Sequence, residues 1–256
     1  GEKDGAGRLT HGGVWRDEQE WPLARTRFTS LFLRGNGMLD ANTPSEVSSS
    51  TTYRFDPSNP VPSIGGNVSS LNSFKGLPSG ASDPESVPRS ETLDEIMAAG
   101  GFDQVEREDI FGSHSPYLPL GSRPDVLVFQ TPPLEENMEV TGPIEVYPSS
   151  RWYPDGYRLN LTDSIMRLRY RNGDGVPDFM TPGDVVEISI TLYPTSNLFA
   201  QGHRVRLDVS SSNFPRFDVN HNTGEPIGRE RRRTVANNTV YHESGRGSVL
   251  ILPVIP

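Results

Sequence analysis

The sequence predicts an all-β, jelly-roll type of sandwich with long loops and at most one or two short helices. Three observations predict it. First, the stretch from Gly202 to Gly224 opens with strict alternation: Val205, Leu207 and Val209 point one way, and Arg204, Arg206 and Asp208 the other, as in a strand with one dry face. Second, several further short apolar runs are separated by turn residues, the pattern of a sandwich or jelly roll. Third, the 256 residues include 25 Gly and 23 Pro with an apolar share of 33%, which favours turns and short strands over long helices.

The elements follow in order. Residues 1–22 are polar and Gly-rich and carry Trp15 and Trp21 around the acids Asp17, Glu18 and Glu20. Arg27 to Leu33 and Thr51 to Phe55 read as short strands. Asp56 to Gly66 combines three prolines with two closing glycines and is either an ordered turn-rich connection or a linker. Leu77 to Arg89 is rich in Ser, Pro and Gly and is expected to be mobile, part of an insertion near 76–100. Thr92 to Glu95 fits a capping box, with Leu93, Ile96 and Met97 as a small apolar face and Gly100 as a stop, and predicts a short helix. Val126 to Phe129 is a continuous apolar run, expected of a strand covered on both faces.

Further on, Met166, Leu168 and Tyr170 alternate with Arg167, Arg169 and Arg171. Val186, Ile188, Ile190 and Leu192 alternate with Glu187, Ser189 and Thr191, and both sets predict strands. Val186, Ile188 and Ile190 are expected in the core together with Val205, Leu207 and Val209. Thr181 to Asp184 reads as a turn, and Val249 to Leu252 as a buried closing strand. No internal repeat is present.

The net charge of −9 argues against nonspecific nucleic-acid binding, which rests on neutralising phosphates with Lys and Arg. The only basic cluster, Arg229 with Arg231 to Arg233, reads as a solvated loop or as ion pairs with the abundant acids. No run reaches the roughly 18–20 apolar residues of a membrane helix. No signal-peptide pattern follows the polar opening Gly1-Glu2-Lys3-Asp4, and the compartment is left open. Without cysteine there is no disulfide, no thiolate metal site and no Cys nucleophile.

The chain offers no Gly-x-Ser-x-Gly elbow. Ser113 and His114 are adjacent, and neighbours in sequence do not generally set Oγ against the ring as a triad requires. The histidines, His11, His114, His203, His221 and His242, show no zinc spacing. Asn172 to Gly175 with Asp178 lacks the ligand count of a calcium loop and reads as a tight turn. Asp218, Asn220 and His221 read as side chains that bond their own loop backbone. No catalytic residue, metal or cofactor is therefore expected. Phe214 and Phe217, around Pro215, are either a surface for stacking carbohydrate or substrate, or packing aromatics; packing is favoured because aromatic burial stabilises strongly. Arg216 between them is then expected to pair with an acid, across a domain interface.

Six blocks in order resemble the cocaine esterase/X-Pro dipeptidyl-peptidase family of serine hydrolases: Trp15 to Phe28, Tyr53 to Asn67, Phe102 to Gly112, Arg123 to Val146, Tyr153 to Arg171 and Thr195 to Gly224. The resemblance covers nearly the whole chain. It implies a galactose-binding-like jelly roll over residues 25–256, packed against an upstream α/β-hydrolase domain that holds the catalytic Ser, acid and His. Residues 1–24 are the lead-in from that domain. The implied substrates are small acyl esters, amides or X-Pro peptides, and a homo-oligomer is expected from the family. Asn67 and Val68, after the paired glycines, are the implied substrate-proximal residues. Trp15, Trp21, Phe214, Arg216 and Phe217 are the interface candidates. Relatives continue after the TGPIEV strand through a further hairpin, whereas here Val146 runs into Tyr147-Pro148, so a discontinuity is expected between Ile144 and Pro154; an unbroken chain there would instead mean a true deletion and a sandwich short of one hairpin. The alternative is a stand-alone carbohydrate- or ligand-binding jelly roll, which rests on fold analogy alone.

Overall fold

The computed structural model describes residues 16–65, 71–74, 93–97, 102–144, 158 and 160–256. Its strands are β1 (Arg27–Leu33), β2 (Leu39–Asp40), β3 (Ser50–Phe55), β4 (Leu71–Phe74), β5 (Leu93–Met97), β6 (Leu127–Gln130), β7 (Met138–Gly142), β8 (Thr195–Phe199), β9 (Arg206–Val209), β10 (Ala236–Glu243), β11 (Arg246–Gly247) and β12 (Val249–Ile255). Every strand pair is antiparallel. No α-helix occurs among the described residues. The chain is all-β, as the sequence predicts.

The main sheet has five strands in the order β2-β1-β12-β7-β8. Its inner face places Leu31, Leu33, Val140, Phe199, Leu250 and Leu252 in one buried cluster. The β6–β9 pair covers that face, with Phe129 opposite Leu207 and Leu127 opposite Val209. Val205 and Leu207 are fully buried and Val209 packs against the same cluster, as the alternation predicts. The other side of β6 faces a second cluster: Val126, Val61, Ile64 and Leu120, with Val128 packed against them. A strand with both faces covered has no polar side to show, which is why Val126 to Phe129 is uninterrupted. The sheet β11-β10-β3 adds His242, which lies buried beside Phe129 with ring centroids 5.4 Å apart.

Three expectations are corrected. The capping-box segment is not a helix: Leu93–Met97 forms β5 and pairs with β4. Helix nucleation is costly for so short a stretch, and a nonlocal ladder outweighs a local cap. Val186, Ile188 and Ile190 are not core residues; no strand forms over residues 185–191, and Ile188 is 40% exposed. Only Leu192 turns inward, where its amide reaches the Ile144 carbonyl at 2.8 Å. Alternation buries a face only where a second layer covers it, and none of the described elements does so here. Met166 to Arg171 is not a strand either; it ends in the 3₁₀ turn Leu168–Tyr170. Arg171 donates to the carbonyls of Leu168 and Asp178, occupying acceptors that a neighbouring strand would need.

The turn at Thr181 to Asp184 forms as expected: the Asp184 amide donates to the Thr181 carbonyl, and Gly183 takes φ +98°. The expected discontinuity between Ile144 and Pro154, and all of 76–100 apart from β5, lie outside the described residues.

Candidate functional site

After β9 the chain enters the loop Ser210–Phe217, and its polar side chains are built into the fold. The Ser211 hydroxyl meets the Tyr53 hydroxyl and accepts from Asn238 Nδ2, both at 2.8 Å, which ties the loop to β3 and β10. Ser212 Oγ accepts the Val61 amide at 2.9 Å. The Ser63 hydroxyl donates to Asn213 Oδ1 at 2.6 Å. Backbone bonds complete the seam: Phe214 N–H to Val61 O at 2.9 Å, and Ser63 N–H to Phe214 O at 2.7 Å. Here a run rich in Ser and Asn is the bonding surface between two loops. Such short side chains satisfy nearby backbone groups that would otherwise be buried unpaired.

Arg216 turns inward from this seam. Its side chain is 4% exposed and forms an ion pair with Asp163, which is 9% exposed. Asn213 and Asn160 also donate to the Asp163 carboxylate, at 3.3 and 3.5 Å. Burial pushes the Asp163 carboxyl above its ordinary pKa range, opposed by the Arg216 charge and the two amides. The Arg216 guanidinium lies 5.2 Å from the Phe217 ring and 5.9 Å from the Tyr193 ring. The acid that Arg216 was expected to meet thus belongs to this same chain rather than to a neighbouring domain. Asp163 itself escaped sequence reasoning, because a single acid at a sequence separation of 53 carries no spacing signal.

The opposite loop, Pro60–Gly65, is held just as firmly. Val61, Ser63 and Ile64 are buried, and Gln104 Nε2 donates to the Ile64 carbonyl at 2.9 Å. Arg123 grips the stem: it donates to both Asp125 oxygens at 2.9 Å and to the Asn59 carbonyl at 2.8 Å. The segment Asp56–Gly65 is therefore an ordered connection. It ends at Gly65, at φ +63°, two positions before Asn67 in the sequence. Asn67 and Val68 themselves lie outside the described residues, as does Trp15.

Phe214 and Phe217 are half-buried, and the Phe214 ring meets that of Phe111 at 5.8 Å, with Phe111 half exposed. Trp21 is 55% exposed. The segment that carries it is pinned to the sheet, because Arg16 pairs with Glu139 of β7 at 2.7 Å and with Glu18, which Arg25 also holds. Arg25 first and Arg16 second hold the Glu18 carboxyl down at about 2. An open cleft of about 410 Å³ lies beyond Phe214, walled by Pro57, Pro60, His221 and Arg233.

Nothing in this arrangement forms a nucleophile pair. Ser113 and His114 make backbone turn bonds in an exposed loop, with the Ser113 amide on the Ile110 carbonyl and the Tyr117 amide on the His114 carbonyl. His242 Nε2 meets Thr51 Oγ1 at 2.9 Å, but the imidazole itself is buried against Phe129 and Thr51 is only partly exposed. No three His, Asp or Glu side chains among the described residues converge as a metal site. What the arrangement does is hold two loops rigidly at one end of the sandwich.

Comparison with known proteins sets this end of the sandwich in context. The chain is 31% identical over 265 aligned residues to the cocaine esterase of Rhodococcus sp. (strain MB1 Bresler), covering 94% of this chain and 40% of that protein. The solved aminopeptidase of a marine sediment Thaumarchaeota archaeon superposes with a TM-score of 0.67 at 24% identity, over 99% of this chain and 40% of that one. An α-amino acid ester hydrolase superposes with a TM-score of 0.60 at 24% identity, over 89% of this chain and 36% of that one. The chain thus spans about 40% of the length of the relatives it matches. Residues 2–147 and 150–251 match the family described as the X-Pro dipeptidyl-peptidase C-terminal non-catalytic domain. This sandwich, with its two stitched loops, therefore belongs to the X-Pro dipeptidyl-peptidase C-terminal domain family of CocE/NonD hydrolases.

Proposed function

We propose that this chain is the non-catalytic sandwich of a serine acyl hydrolase that cleaves a small ester, amide or X-Pro peptide. In this reading an upstream α/β-hydrolase domain supplies the Ser, the acid and the His. Residues 1–24 lead in from that domain, and residues 25–256 form a jelly roll that shapes the acyl pocket. The observation that carries the reading is the continuity of the family match, over residues 2–147 and 150–251, in a chain that spans 40% of its esterase relative. The names of the relatives, an esterase, an aminopeptidase and an ester hydrolase, support an acyl-cleaving parent.

The stitched loops support a role in positioning. Gly66 alone separates Gly65 from Asn67 and Val68 in the sequence, and the seam at Val61, Ser63 and Phe214 fixes the segment that leads to them as far as Gly65. Asn67 and Val68 line the acyl side of the substrate pocket in this proposal. Trp15, Trp21, Phe214, Arg216 and Phe217 border the hydrolase domain, with Trp21 offering exposed apolar area and the Arg216–Asp163 pair stiffening the loop behind the two phenylalanines. A pocket wall improves binding but supplies no nucleophile.

The test is the purified chain against an activated aryl ester and an X-Pro anilide. No turnover above a matched inert protein is expected. Turnover abolished by changing a single serine, Ser113 or Ser211, would place an active site inside the sandwich and overturn the proposal. Selective binding on a glycan array would favour a stand-alone carbohydrate module instead.

A further inference from the structure

The loop Glu225–Thr234 carries four arginines, Arg229, Arg231, Arg232 and Arg233, all exposed, on a chain of net charge −9. Of the two readings of this cluster, solvated loop or ion pairs, an ion pair forms among the described residues for Arg232 alone, whose Nε lies 3.2 Å from Glu225 Oε1. The side chains of Arg229, Arg231 and Arg233 have no acidic partner among the described residues. The nearby acids are engaged elsewhere, Glu230 within the cluster included, whose carboxylate is held below its ordinary pKa range first by its own backbone amide and then by that of Gly228. Asp218 pairs with Arg167. Glu225 accepts the backbone amides of Arg231 and Arg232 at 3.1 and 3.2 Å and the Thr223 hydroxyl at 3.0 Å.

The loop is also braced. Asn222 Nδ2 donates to the Thr234 carbonyl at 2.9 Å, and the Thr234 amide to the His221 carbonyl at 3.0 Å. Arg169 donates to the Glu225 carbonyl at 3.2 Å, and the Arg229 amide to the Pro226 carbonyl at 3.0 Å. The backbone amides of Arg232 and Arg231 hold the Glu225 carboxyl down at about 2, so the brace persists throughout the neutral range. Crowding like charges on a fixed backbone works against the isolated chain. The brace stabilises the loop whatever its role, but the crowding of charge gives a merely solvated connection nothing.

We propose that this braced loop is a docking surface for an acidic polypeptide segment, whose Asp and Glu carboxylates pair with Arg229, Arg231 and Arg233. Guanidinium forks match carboxylates in geometry and form charge-assisted bonds. The overall charge of −9 disfavours the dense phosphates of nucleic acid, and a peptide of modest charge density suffers less from that repulsion. Fixing the loop beforehand reduces the ordering entropy lost on binding. The proposal is independent of whether the parent chain is a hydrolase.

The test uses the full chain and a fluorescently labelled peptide of about eight residues in which glutamate alternates with serine, followed by anisotropy at low and physiological salt. The wild type should bind, and the matching glutamine peptide should not. The triple variant R229Q/R231Q/R233Q should bind about tenfold more weakly, which is what three exposed pairs of modest strength supply together. The control R54Q/R107Q/R246Q changes the net charge equally at arginines that are already paired, and should bind as the wild type does. The discriminating variant is Asn222→Gly, which removes the side-chain bond to the Thr234 carbonyl, keeps the left-handed backbone of Asn222 accessible and changes no charge. Simple charge attraction predicts unchanged binding, whereas loss of the brace predicts weaker binding. Weaker binding by N222G supports the proposal. Unchanged binding by N222G, equal binding by the two triple variants, or a preference for an oligonucleotide of equal charge overturns it.

Discussion

Separating Asp163 from Arg216 tests whether the loop seam depends on a buried ion pair. The side chains are 9% and 4% exposed, so removing either partner leaves a charge with little access to water. Breaking such a pair typically costs about 3–5 kcal/mol, against about 0.2–1 kcal/mol for an exposed one. For a domain of this size each kcal/mol moves Tm by about 2–4 °C, so a loss of about 6–20 °C is expected. The two single variants should differ in their response to pH. Arg216→Met leaves a carboxyl that burial already pushes upward, and that carboxyl can take a proton. Asp163→Asn leaves a guanidinium that cannot lose one. The deficit of Arg216→Met should therefore shrink as pH falls from 7 to 5, by at most about 1.4 kcal/mol per pH unit for one proton. The deficit of Asp163→Asn should stay level over the same range. Urea unfolding at both pH values measures each, and the double variant D163L/R216M should regain much of the loss. Deficits under about 1 kcal/mol for both single variants, or a level deficit for Arg216→Met, would refute the reasoning.

Other outcomes follow from burial. Leu207→Ala should cost about 2–5 kcal/mol, while Ile188→Ala, at a side chain that is 40% exposed, should stay within about 0.5 kcal/mol; denaturant melts of the two variants check the contrast. His242 is buried and desolvation depresses its pKa, so the unfolded chain takes up a proton near pH 6.5 where the native state does not. Its share of the stability is present above about pH 6.5 and is lost as pH falls through the depressed native value, and that slope should vanish in a His242→Gln variant followed by thermal melts between pH 7.5 and 5.

Much of the β framework is legible in the sequence, and the exceptions share a cause. Val205 to Val209 and Val126 to Phe129 behave as their patterns predict, because covering layers exist on the sides those patterns require. Val186 to Ile190 carries an equally good alternation, but a pattern states which residues prefer a dry face and does not supply that face. Leu93–Met97 fails for the complementary reason: its capping box is a local signal, and the ladder to Leu71–Phe74 is nonlocal. In the loop seam, Phe214, Arg216 and Phe217 stand out by composition. Asp163, Ser63 and Tyr53, the partners of Arg216, Asn213 and Ser211, do not, since hydrogen bonds at sequence separations of 53, 150 and 158 leave no periodic trace.

The placement of β12 constrains how the protein can be made. β12 lies at the middle of the five-stranded sheet, with β1 on one side and β7 on the other, and Arg27 of β1 stands opposite Val254. During synthesis β1, β7 and β8 emerge long before the strand that joins them. Until β12 arrives, the nascent sheet is two separate pieces, each with an edge of unpaired backbone N–H and C=O groups, and the five-stranded core cannot close. Closing so distant a contact is slow, and open edges invite association with other chains. A premature stop codon anywhere before β12 removes the sheet's keystone rather than its fringe.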